Sequence, residues 1–79
     1  MTTDKIIEIQ RAIIRAMSGF GVDASTPHQS MGLIGLCEMR RDIPSNELLD
    51  VLRTMEGVIL DFEARPAQVR IPTYYFIDS

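Results

Sequence analysis

With 79 residues, 46% hydrophobic and 24% charged, the chain has room for one domain and is too apolar for a disordered tail. Eight Lys and Arg against eleven Asp and Glu, a formal net charge of -3, count against a binder driven mainly by phosphate neutralisation. Cys37 is the single cysteine, which rules out an intramolecular disulfide. The start Met1-Thr2-Thr3-Asp4-Lys5 lacks a signal-peptide pattern, and no apolar run nears the roughly 18 residues of a membrane span, so the expected setting is cytoplasmic.

The first helix is predicted over Asp4–Ser18, with Thr3 as N-cap and Gly19 or Gly21 as terminator. Ile6, Ile9, Ile13, Ala16 and Phe20 recur at spacings of three and four, and Ile7, Ile14 and Met17 widen that stripe. Residues 19–27 read as a loop. Thr26-Pro27-His28-Gln29 then reads as a helix start, with a threonine cap, proline at the first helical position and glutamine completing a capping box. A second helix follows through Met31, Leu33, Ile34, Leu36, Cys37 and Met39 to near Arg41. Gly32 and Gly35 weaken it, which points to close approach of a neighbouring helix.

Asp42-Ile43-Pro44 breaks the chain. Ser45 is the expected cap of a third helix whose stripe is Leu48, Val51, Leu52 and Met55, with Leu49 beside it and Gly57 closing it. The period then changes to two: Val58, Leu60 and Phe62 alternate with Ile59, Asp61 and Glu63, as in a half-buried strand. Ala64-Arg65-Pro66-Ala67 is a turn. A second strand is predicted over Gln68–Ile77, and Pro72 within it points to an edge strand or a bulge. Its inward residues are either Tyr74 and Phe76 or Tyr75 and Ile77. The fold class is therefore α+β, three helices followed by a C-terminal two-stranded hairpin.

From Ile43 to Ile77 this order resembles the winged helix-turn-helix superfamily. Ser45-x-x-Leu48-Leu49-x-x-Leu52 resembles its third helix, and Met55-x-Gly57-Val58-Ile59 the exit into the first wing strand. Arg65-Pro66 resembles the wing tip, and Tyr74-Tyr75-Phe76 the returning strand. The resemblance implies a surface, built on the third helix and the hairpin, that reads DNA in some members and binds protein in others.

The candidate contact residues follow from both readings. Asn46, Asp50 and Arg53 lie on the solvent face of the third helix, where Asn and Arg suit base edges, but Glu47, Asp50 and Glu56 would repel phosphates. Arg40 and Arg41 either clamp an anion or favour the negative end of their helix dipole. Arg65 and Arg70 either enter a groove or act as solubilising charges that deter edge pairing. Ile7 and Ile14, a heptad apart on the flank of the first helix, are the expected dimer interface.

His28, the only histidine, has no second ligand nearby, so no metal is expected. Cys37 reads as a small buried hydrophobe, and Gly19-Phe20-Gly21 lacks the strand and helix of a phosphate loop. No cofactor or catalytic group is implied. The apolar surplus, including five methionines, suits an adaptable contact surface. The expectation is a small non-enzymatic regulator or inhibitor, of the kind phages and plasmids also carry, that binds a protein partner or itself as a homodimer. The alternative is a DNA-binding transcriptional regulator using the third helix and the hairpin wing.

Overall fold

The computed structural model describes residues 1–77. In it, α1 spans Thr3–Ser18. Its cap is Thr2 rather than Thr3, since the Thr2 hydroxyl accepts from the Lys5 amide at 3.2 Å. Ile9, Ile13 and Met17 are buried on the stripe that periodicity predicts, with Ala12 buried beside them, and Ile6, Ile14 and Ala16 pack at its margin. Phe20 falls outside it. The helix ends at Ser18, so the turn through Gly19 carries Phe20 off the core face and leaves it 68% exposed.

The segment after the loop departs most from expectation. His28–Gly32 is a strand, β1, and not the start of a helix. It pairs antiparallel with a distant strand, from His28 opposite Pro72 to Gly32 opposite Gln68. The local helix signals are all diverted. The Thr26 hydroxyl turns back to the Asp23 carbonyl at 2.8 Å, and the Gln29 amide donates to the carbonyls of Gly21 at 2.6 Å and Met17 at 3.3 Å. The Thr26 and Pro27 carbonyls accept from Thr73, the hydroxyl and the amide respectively. A ladder partner 40 residues away thus overrides a capping pattern that would have satisfied the same backbone locally.

The second helix, α2, is consequently short, Leu33–Met39, and buries only Leu33 and Leu36. Close helix approach does not explain its glycines: Gly32 precedes the helix, and a Cβ on Gly35 would meet only the Met31 methyl at 3.8 Å. The third, α3, spans Ser45–Thr54. Pro44 occupies the cap position in place of Ser45, which is already helical. Leu48, Val51, Leu52 and Met55 are buried as the stripe requires.

The hairpin is β2 (Ile59–Asp61) and β3 (Gln68–Pro72), joined by a turn with a cis Arg65–Pro66 bond. The sheet has three strands in the order β1-β3-β2, so β3 is central and the expected edge position of Pro72 is not found. Proline is tolerated there because the pairing with β2 stops at Ile59–Arg70, so no β2 residue requires a donor from position 72. The chain then turns into a short helix, α4 (Tyr74–Ile77), in place of the predicted continuing strand. Phe76 is buried, Tyr75 is half-buried, and Tyr74 and Ile77 face outward. Both tyrosine hydroxyls donate to the Glu56 carbonyl, at 3.1 Å from Tyr74 and 2.7 Å from Tyr75. Helix α1 packs against α2, α3 and α4, and Val69 and Ile71 close the core from the sheet side. The α+β class therefore holds, with four helices and three strands among the described residues.

Candidate interaction surface

Burial accounts for one side of α2 and leaves the other open. Leu33 and Leu36 face the core, and Ile34 lies about 100° from the first and about 160° from the second around the helix, away from that side. Ile34 is 65% exposed. It stands over an open groove of about 660 Å³ between α2 and the start of α3. Leu33, Cys37 and Leu49 supply the apolar lining, and Glu38, Arg41 and Ser45 the polar margin. Cys37 is a half-buried free thiol and Leu49 is also half-buried. An apolar concavity rimmed by a few polar groups is the usual form of a recognition site.

Of the charged candidates only Arg41 lines this groove, and the others are spread over α2, α3 and the hairpin. Asn46, Asp50 and Arg53, four and three residues apart, share the exposed face of α3. Arg53 reaches Asp50 at 3.5 Å. At the end of α2, Arg40 pairs with Asp42 at 3.0 Å, its Nε buried with no hydrogen-bond partner. Its neighbour Arg41 lines the groove instead. On the hairpin, Arg70 pairs with Asp61 at 3.2 Å across the outward face, where Ser30, Arg70 and Ile59 lie in register. Arg65 is exposed in the turn. Among these arginines, Arg41 and Arg65 make no ion pair. Three guanidinium groups are thus partly neutralised by aspartates, which lowers the positive potential available to a phosphate backbone.

Two other features bear on electrostatics. In the α1–β1 loop, hydrogen bonds from the Ser25 hydroxyl and amide hold the Asp23 carboxyl below the usual carboxylate range. Near α4, burial, together with the neighbouring Tyr74 and Glu56, pushes the Tyr75 phenol up. Among the described residues, no three His, Cys, Asp or Glu side chains gather as metal ligands, and no helix is long and apolar enough to cross a membrane.

Sequence reasoning missed the groove. Ile34, Cys37 and Leu49 were each legible as apolar, but α2 buries only Leu33 and Leu36, and Ile34, about 160° around the helix from Leu36, faces away from them. Ile7 and Ile14 are where periodicity places them, on one flank of α1: Ile7 is 40% exposed and Ile14 is half-buried. Comparison with known proteins finds no matching family model, curated protein or solved structure.

Proposed function

We propose that this chain is a non-enzymatic, winged-helix-like binding module whose α2–α3 groove receives the apolar face of an amphipathic helix from a protein partner. The order α2, α3, β2, β3 agrees with the winged-helix resemblance, and β1 extends the hairpin to three strands without disturbing that order. The observation that carries the protein-binding reading is Ile34, a large apolar side chain held in solvent beside Leu49 and Cys37. A helix laid in a groove is a recurrent recognition mode, with anchors at helical spacing filling such a concavity. The polar rim of Glu38, Arg41 and Ser45 would set its orientation.

The alternative is DNA binding through α3 and the hairpin, and the absence of an ion pair at Arg41 and Arg65 is what favours it. Against it stand the Arg40–Asp42, Arg53–Asp50 and Arg70–Asp61 pairs and the negative net charge. Affinity capture from a native lysate, with and without nuclease, separates the two. The protein-binding reading expects a stoichiometric protein partner that survives nuclease. Recovery of nucleic acid alone, lost on nuclease treatment, would favour the alternative.

A further inference from the structure

The outward face of α1 carries a charge arrangement that the isolated domain leaves unused. Asp4 and Glu8 lie in the first half of the helix and Arg11 and Arg15 in the second, all exposed. The helix dipole accounts for Asp4 and Arg15, which lie in the first and last turns, but its effect fades within a turn of each end. Glu8 and Arg11 lie outside its reach. They are three residues apart on one face, yet among the described residues they make no ion pair with each other or with any other. The like-charged neighbours Asp4/Glu8 and Arg11/Arg15 sit four apart, a spacing that is unfavourable within a single helix.

Beside these charges runs an apolar edge. Ile7 and Ile14 lie about 20° apart around the helix and about 10 Å apart along it. Ile14 helps line an open groove of about 520 Å³ shared with Met55 and Tyr75 from the neighbouring elements and with the polar Gln10, Arg11, Arg15 and Ser18 of α1. One end of α1 therefore offers a projecting isoleucine and the other a concavity in which Ile14, Met55 and Tyr75 give it apolar contacts between polar margins. The acids lie at the first end and the bases at the second.

We infer that a second copy of this chain covers the face, with the two α1 helices antiparallel about a two-fold axis near residues 10 and 11. Such an interface must be self-complementary, each contact occurring twice. In this register Ile7 of one copy comes level with Ile14 of the other and enters its groove. Glu8 and Asp4 come within about 3 Å, along the axis, of Arg11 and Arg15 of the second copy, well within the span of an arginine side chain. The surface is separate from the α2–α3 groove, so the inference stands or falls independently of the protein-partner reading.

Sedimentation over a range of concentrations tests it directly. The wild type should show a reversible monomer–dimer equilibrium that weakens as salt rises. Glu8→Arg places like charges opposite each other twice, and so does Arg11→Glu. Each should weaken the dimer about tenfold, as expected for two altered rim pairs. The double variant E8R/R11E should restore it, which a merely structural role for either residue would not do. Circular dichroism should stay unchanged throughout, because both positions are exposed. Glu8→Gln fixes the orientation: it should weaken an antiparallel dimer, whereas tighter association would indicate parallel helices and overturn the register. A wild type that stays monomeric at every concentration would overturn the inference altogether.

Discussion

Arg70 on β3 and Asp61 on β2 face each other across the outward side of the hairpin, Nη2 to Oδ2 at 3.2 Å. The same carboxylate has a second task. Its Oδ1 accepts from the amides of Glu63 and Ala64 at 3.2 and 3.1 Å, closing the turn that follows. The two tasks separate by mutation. Asp61→Asn should keep the turn and lose mainly the half-exposed ion pair, at a cost below about 1 kcal/mol. Asp61→Ala should lose both and cost about 1 kcal/mol more. Urea unfolding of the two variants checks this, and equal losses would mean that the turn contacts contribute nothing.

Gly57 sits at φ +80°, and a Cβ there would lie 2.8 Å from Pro72 Cγ and 2.9 Å from Tyr74 Oη. Both the backbone conformation and the space require glycine. Gly57→Ala should destabilise the domain by about 1–3 kcal/mol, the usual range for a strained backbone position, and should disturb the hydrogen bonds from the tyrosines to the Glu56 carbonyl. Thermal melting and tyrosine fluorescence together report it. An unchanged melt would place the α3–β2 turn elsewhere.

Leu52 has no solvent exposure and belongs to the core cluster that joins α1, α3 and the sheet. Leu52→Ala should therefore cost about 2–5 kcal/mol, the range for buried leucine truncations. A urea melt showing a loss below about 0.5 kcal/mol, as surface changes give, would contradict the register of α3.

The Tyr75 phenol titrates above its ordinary value, mainly through burial. The folded state thus holds this proton more tightly than the unfolded chain does. Its contribution is complete below the unfolded tyrosine pKa, about 10, and is lost as pH rises through the higher folded value. Wild-type stability should fall across that alkaline window more steeply than that of Tyr75→Phe. Identical slopes in urea midpoints would show that the group does not sense folding.

The elements that were legible from sequence are those whose information is local. Ile9, Ile13 and Met17 in α1, and Leu48, Val51 and Leu52 in α3, repeat at helical spacing and are buried accordingly. β1 was not legible. Its partner strand begins at Gln68, and nothing near Thr26-Pro27-His28-Gln29 reveals a ladder that distant. The same error lengthened α2. α4 was missed because Tyr74 to Ile77 alternates no less plausibly as strand than as helix, until the Phe76 amide closes on the Thr73 carbonyl at 2.9 Å. Of the site, the arginines could be named from sequence. The partner of Arg70 could not, because Arg70–Asp61 depends on strand register, whereas Arg40–Asp42 and Arg53–Asp50 are local pairs.

The central claim is that the α2–α3 groove, through Ile34, receives a protein partner. Its most direct test is affinity capture, with and without nuclease, of wild type, Ile34→Glu and Arg53→Ala side by side. Ile34 is exposed, so its replacement should leave the melt within about 0.5 kcal/mol of wild type. The account predicts a captured protein that is retained by Arg53→Ala and lost with Ile34→Glu. Capture that is indifferent to Ile34→Glu, or nucleic acid that is lost with Arg53→Ala, would contradict it.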